Sequence, residues 1–250
     1  MAFPKNSLSG TIFDILDLRQ TQPDSIGLFF RGPRDSLIRR NYISQNPFIV
    51  YKNGASMKHA IILAHPRKDS FNATIAGTYA NAAGARGQTC ELHDLYEMDF
   101  DPCMPGAEIP GPQGFSPRED VIAERDRLAS IDVFAFVYPL WLNAQPAILK
   151  GYIERVFGMG FAYGRQGGES VPLLTGRKMI SFTSSGAPTE WVKKTGAWDA
   201  IRKLFDEHFA ALCGFEVLDH IHFGGIVPGM RKDAVERCRE TVRQSISQHF

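Results

Sequence analysis

The chain has 250 residues, 44% of them hydrophobic, and its 28 Lys and Arg against 27 Asp and Glu leave a formal charge of +1. That length suits one large domain with a sizeable core, and the balanced charge argues against a nucleic-acid groove or a long charged tail. Four scattered cysteines, Cys90, Cys103, Cys213 and Cys238, form no Cys-x-x-Cys pair; they read as reduced thiols of a cytoplasmic protein, not a disulfide frame or zinc site.

Residues 1–56 mix short apolar pieces, such as Ile12-Phe13 and Phe29-Phe30, with Pro, Gly, Asn and Arg and hold no sustained period. An irregular N-terminal extension is expected there, or a mis-assigned start ahead of Met57. The competing reading is an arm that packs on the domain or on a partner. Arg31, Arg34, Arg39 and Arg40 hint at a transit peptide, but Asp14, Asp17, Asp24 and Asp35 argue against one. No basic stretch leads into an apolar one, and no apolar run reaches the length of a membrane span, so neither a signal peptide nor membrane insertion is expected.

From residue 57 to 250 strands and helices alternate, which predicts a single second unit. Strands are expected at His59–Ala64, Thr89–Leu95, Val133–Tyr138, Lys178–Thr183 and Phe215–Phe223; the third is apolar almost throughout, as in a strand covered on both faces. Ile75, Tyr79 and Ala83 share one helical stripe after Asn72, a candidate N-cap. Val121, Ile122, Arg125, Leu128 and Ala129 trace a second stripe. Pro146 suits a first helical position, with Leu149, Ile153, Val156 and Phe157 on one side. Trp198, Ile201, Phe205, Phe209 and Leu212 form a fourth face closed by Gly214 at a C′ position, and Val235, Cys238, Val242 and Ile246 a fifth. Phe100–Pro117 and Phe161–Pro172 read as long irregular pieces. The alternation predicts an α/β fold: a five-stranded parallel sheet with right-handed crossovers and helices on both faces.

Ligands of such sheets bind beyond the carboxyl ends of the strands. Three of those ends carry unusual chemistry. After the first strand come His65-Pro66 and Ser70-Phe71-Asn72, where a hydroxyl, an amide, an imidazole and the N–H groups of a helix start can face a phosphate. The competing reading is a plain helix cap beside an ordinary loop histidine. After the third strand, Pro139-Leu140-Trp141-Leu142-Asn143 puts large apolar side chains where solvent should lap, which suits a flat apolar ligand; alternatively Trp141 plugs the core. After the fourth, Thr183-Ser184-Ser185-Gly186 lets backbone come close to a ligand, or is a polar turn. A phosphate beside a planar, partly apolar ring describes a flavin nucleotide.

Other nucleotide and hydrolase sites lose a needed residue here. The first loop holds neither a Walker Gly-x-x-x-x-Gly-Lys, a Gly-x-Gly-x-x-Gly turn nor a cysteine nucleophile, and no Gly-x-Ser-x-Gly elbow is found. His220 and His222 alternate along a strand with no carboxylate or third histidine evident nearby, so they read as core or surface histidines, and no metal site is expected.

His65-Pro66, Ser70-Phe71-Asn72, Asp94-Leu95-Tyr96, Phe100-Asp101-Pro102, Pro139-Leu140-Trp141, Pro146 to Gly151, Arg155-Val156-Phe157, Gly160 to Tyr163 and Cys213-Gly214-Phe215, in this order, resemble the NAD(P)H:quinone oxidoreductase family of flavodoxin-like fold. The likeness runs from about Lys58 to the C-terminus. It implies a homodimeric flavoprotein that binds FAD, with FMN as the alternative, and carries hydride from NAD(P)H through the flavin to a quinone-like acceptor. It further implies that His65, Ser70, Phe71 and Asn72 hold the phosphate end, that Pro139, Leu140, Trp141 and Leu142 line the ring, and that Thr183, Ser184, Ser185 and Gly186 meet its polar edge. Tyr163 would border the acceptor across the dimer interface and Trp191 would close the other side, as the two catalytic candidates. One departure stands out: where the family has a Tyr and then a His, counting gives Trp191 and Ala197, which puts an assisting proton relay in question. Two alternatives follow from the same resemblance. One is a flavin-binding ancillary subunit of a potassium-efflux transporter; the other is a reductase of azo or nitroaromatic compounds.

Overall fold

Five apolar segments pair into one sheet: β1 (Lys58–Leu63), β2 (Thr89–Asp94), β3 (Val133–Pro139), β6 (Lys178–Ser184) and β7 (Glu216–Phe223), in the order β2-β1-β3-β6-β7. Every neighbouring pair is parallel. This is the flavodoxin-like order, and each strand lies within a residue or so of where the apolar runs put it. The coordinates are a computed structural model that describes residues 56–250, so what was expected of the N-terminal extension lies, apart from Ser56, outside the described residues.

All residues of β3 are buried, because helices cover both faces. Alternation sends Phe134, Phe136 and Tyr138 to one face, where they pack with Leu149, Tyr152, Val156 and Phe205. It sends Val133, Ala135 and Val137 to the other, against Ile75, Tyr79, Val242 and Ile246. The helices are α1 (Phe71–Gly84), α2 (Glu119–Leu128), α3 (Ala147–Val156), α4 (Thr189–Lys194), α5 (Ala197–Ile201), α6 (Ala210–Cys213) and α7 (Lys232–His249). A π-helical stretch, Arg202–Phe209, joins α5 to α6.

Several local expectations are corrected. The cap of α1 is Ser70, whose Oγ accepts the Ala73 N–H at 3.0 Å; Asn72 sits inside the first turn. Pro146 is the N-cap of α3, not its first helical residue, since its ψ of 147° is extended. The stretch read as irregular at Phe161–Pro172 contains an antiparallel hairpin, β4 (Tyr163–Gln166) with β5 (Glu169–Pro172). Its strands are short and polar, so no apolar alternation marked them. The signal was Gly167-Gly168, whose φ of 61° and 90° make the two-residue turn. Gly214 does end α6 with φ 84°.

The long segment before α2 is held by Arg155. Its guanidinium lies over the Phe100 ring at 5.0 Å and donates to Glu108 at 2.7 and 2.9 Å and to Asp120 at 2.8 and 2.9 Å. With its side chain wholly buried, Arg155 needs those carboxylates to offset desolvation. Among the described residues no helix is long and apolar enough to cross a membrane.

Candidate functional site

The carboxyl ends of β1, β3 and β6 open into one cavity of about 370 Å³. His65, Arg67, Asp69, Phe71, Asn72 and Thr74 line one side of it, Pro139, Leu140 and Trp141 a second, and Ser184, Ser185 and Gly186 a third. The fourth side, Ile226 to Met230 with Val235, comes from the loop between β7 and α7.

At the polar end, α1 begins at Phe71. The first N–H groups of a helix have no intrahelical acceptor, and the helix dipole adds partial positive charge there. Ser70 Oγ takes only the Ala73 N–H, so the start of α1 can still serve an anion. Asn72 is buried, and its Oδ1 accepts the Ser184 hydroxyl at 2.8 Å, which leaves the NH2 as the end with hydrogens to give. His65 is half-buried, and its Nδ1 accepts the Arg67 backbone N–H at 3.1 Å. Burial pushes its imidazole below the usual value, so at neutral pH the ring is neutral with its hydrogen on Nε2.

The apolar wall depends on a strained turn. Trp141 and Ala144 exchange two backbone hydrogen bonds of 3.1 Å around Leu142 and Asn143, whose φ values are 52° and 58°. Two left-handed residues make a primed two-residue turn. Asn tolerates that region, whereas Leu does so only under strain. The turn leaves the Leu142 side chain fully exposed and Trp141 44% exposed, its ring 6.0 Å from that of His65.

Of the fourteen residues singled out from the sequence, His65, Phe71, Asn72, Pro139, Leu140, Trp141, Ser184, Ser185 and Gly186 line this cavity. Ser70 lies behind it as the helix cap, and Leu142 stands at its rim facing solvent. Thr183 is wholly buried one residue pair below the mouth, bonded to His220 and His222. Within this chain Tyr163 borders a different, smaller cavity of about 60 Å³, beside Phe115, Arg125 and Met159. Trp191 is half-exposed on α4 and does not line the main cavity. Asp206 approaches His220 to 2.9 Å, which corrects the expectation that no carboxylate lies near the two histidines. No group of three or more His, Cys, Asp or Glu among the described residues is arranged to hold a metal.

Arg67, Thr74 and the loop from Ile226 to Met230 were missed. The loop had a signal, since Gly224-Gly225 and Pro228-Gly229 directly follow a strand at the same sheet edge.

Comparison with known proteins agrees with this fold. A family model described as a flavodoxin-like fold matches residues 57–246. A Haemophilus influenzae protein called an uncharacterized NAD(P)H oxidoreductase is 35% identical over 171 residues, 68% of this chain and 85% of its own. The NAD(P)H dehydrogenase (quinone) 1 of Cavia porcellus is 31% identical over 186 residues, 66% of this chain and 68% of its own. Among solved structures, the NAD(P)H:quinone oxidoreductase from Methanothermobacter marburgensis superposes with a TM-score of 0.68 at 28% identity, over 78% of this chain and 99% of that one.

Proposed function

The chain belongs to the NAD(P)H:quinone oxidoreductase family of flavodoxin-like fold, and from that premise we propose that it is a flavin-dependent NAD(P)H dehydrogenase reducing quinone-like acceptors. The observation that carries this reading is the single cavity joining the N-terminal turn of α1 to the wall of Pro139, Leu140 and Trp141. The donor set suits the cofactor. An anion-binding helix start, an amide and an imidazole N–H stand at one end, an aromatic and aliphatic wall in the middle, and a Ser-Ser-Gly backbone at the far edge.

When bound, the flavin supplies hydride acceptance from NAD(P)H and hydride delivery to the acceptor. The chain does the rest. His65, Ser70, Phe71 and Asn72, joined by Arg67, hold the phosphate end. Pro139, Leu140, Trp141 and Leu142 hold the ring and keep water from one of its faces. Thr183 supports, and Ser184, Ser185 and Gly186 meet, the polar edge. The Ser185 N–H is given to the Phe223 carbonyl at 3.0 Å, so the Gly186 N–H is the backbone donor that stabilises gathering negative charge. In our reading a cytoplasmic homodimer brings Tyr163 across its interface to border the acceptor, with Trp191 on the opposite side. FAD is the cofactor we favour and FMN the alternative. Residues 57–250 are the flavin-binding unit.

The test is steady-state oxidation of NADH and NADPH by the purified protein with and without a quinone. Quinone-dependent turnover supports the reading. A yellow protein without turnover would favour the ancillary binding role, and preference for an azo or nitroaromatic acceptor would move the substrate class.

A further inference from the structure

The cavity wall at Ser185 is the end of a buried hydrogen-bond chain that runs between β6 and β7 into the core. Ser185 Oγ donates to the Ala187 carbonyl at 2.8 Å and lies 3.0 Å from His222 Nε2. His222 Nδ1 lies 3.0 Å from Thr183 Oγ1, which lies 3.2 Å from His220 Nε2. His220 Nδ1 is 2.9 Å from both oxygens of Asp206, and Arg202 reaches that carboxylate at 3.4 Å. The Trp198 ring packs over both imidazoles, with centroids at 4.8 and 5.5 Å. Strand pairing fixes the order, since Thr183 is in register with His222 and Ser181 with His220.

Counting hydrogens gives the chain a direction. Ser185 has one proton, and Ala187 receives it, so Ser185 accepts from His222 Nε2. A neutral His222 then accepts at Nδ1 from Thr183. Thr183, its own proton given, accepts from His220 Nε2. His220 also donates at Nδ1 to Asp206, so it holds a hydrogen on each nitrogen. Burial, with His220 and Lys193 nearby, pushes His222 down to about 4, which agrees with its neutral place in the middle. The charged groups around the two rings are Asp206 and Arg202 from the π-helical stretch, Lys193 from α4 and Asp219 on β7.

We propose that Asp206, His220, Thr183, His222 and Ser185 form a proton relay that delivers one proton to the polar edge of the bound flavin during two-electron reduction. The proposal rests on the flavin reading above and adds the source of the proton. Ser185 turns from Ala187 to the pocket and gives its proton to the anion formed there. It takes the Nε2 proton of His222, which takes the Thr183 proton at Nδ1, and Thr183 takes the Nε2 proton of His220. One O–H or N–H bond breaks for each that forms, no electron moves along the chain, and His220 ends neutral beside Asp206. Water restores its proton after the product leaves. Ser185 is the group that touches the cofactor; the other four act through it.

Histidine-selective ¹⁵N NMR of the full-length protein tests the direction first, without added flavin at about pH 7. Hydrogens on both nitrogens of His220, and on Nε2 of His222, are expected; a neutral His220 or an Nδ1–H on His222 overturns the relay. The protein is then loaded with FMN or FAD and reduced anaerobically with dithionite. His220 is expected to lose one proton in the wild type and to keep it in Thr183→Val. That variant should lose about 100-fold or more in kcat with quinone while KM stays within about twofold, and Thr183→Ser should restore kcat. A yellow wild-type protein whose His220 is unchanged by reduction overturns the relay alone, and needs no variant to do so. A protein that takes up neither nucleotide removes the recipient and overturns the flavin reading with it.

Discussion

Trp141 and Leu142 are large apolar side chains standing in solvent at the end of a strand that is otherwise wholly buried. Such exposure is explained when a ligand covers it. Trp141→Ala should therefore weaken flavin retention about tenfold, the order of one lost aromatic contact with its buried area, as read by equilibrium dialysis. Unchanged retention would mean that the ring lies elsewhere. The turn strain at Leu142, with φ 52°, makes a separate prediction: Leu142→Gly should raise the stability of the flavin-free protein by about 1 kcal/mol in urea titration. At this scale the sequence was legible wherever a residue ends a strand or lies within two residues of its end, as Pro139, Ser184, Leu140 and His65 do. It was less so where a cap and its neighbour swap tasks: Ser70 and Asn72 have similar chemistry, and only tertiary contact with Ser184 assigns Asn72 to the cavity.

Among the elements, the strands were legible because burial on both faces forces unbroken apolar runs, and β3 is the extreme case. The π-helical stretch was not, although Ile201, Phe205, Phe209 and Cys213 repeat at every fourth residue, a spacing that a wider turn aligns; Phe205 and Phe209 stack 8° from parallel at 5.1 Å. The segment before α2 has no period to read, since it is ordered by ion pairs to Arg155 and Arg118 and by loop backbone bonds, not by an apolar face. Arg155→Met should cost about 3–5 kcal/mol at neutral pH by leaving the buried Glu108 carboxylate without its cation. The hydrogen bond from Arg155 holds the Glu108 carboxyl below its usual 4.5. A depressed carboxylate stabilises the fold above the unfolded value and loses that contribution as the pH falls through the folded one. The gap between wild type and Arg155→Met should therefore narrow from about pH 6 to about pH 3 in urea titrations; a constant gap would separate Glu108 from the network.

For the whole molecule, the fold follows from alternation and the site from where the sheet order puts its strand ends: β1, β3 and β6 are adjacent although their carboxyl ends are far apart in sequence. The β7–α7 loop joins them because β7 pairs with β6, a fact that no local pattern carries. A chain begun at Met57 should fold and bind flavin like the full-length protein, compared by thermal melting and flavin titration; loss of binding would give residues 1–56 a part in the site. The central claim is a flavin held between the start of α1 and Trp141. The most direct measurement is the visible spectrum of the purified protein, followed by denaturation and identification of what is released. A yellow protein that releases FAD or FMN stoichiometric with the chain is predicted. A colourless protein that takes up neither nucleotide when titrated would contradict the account.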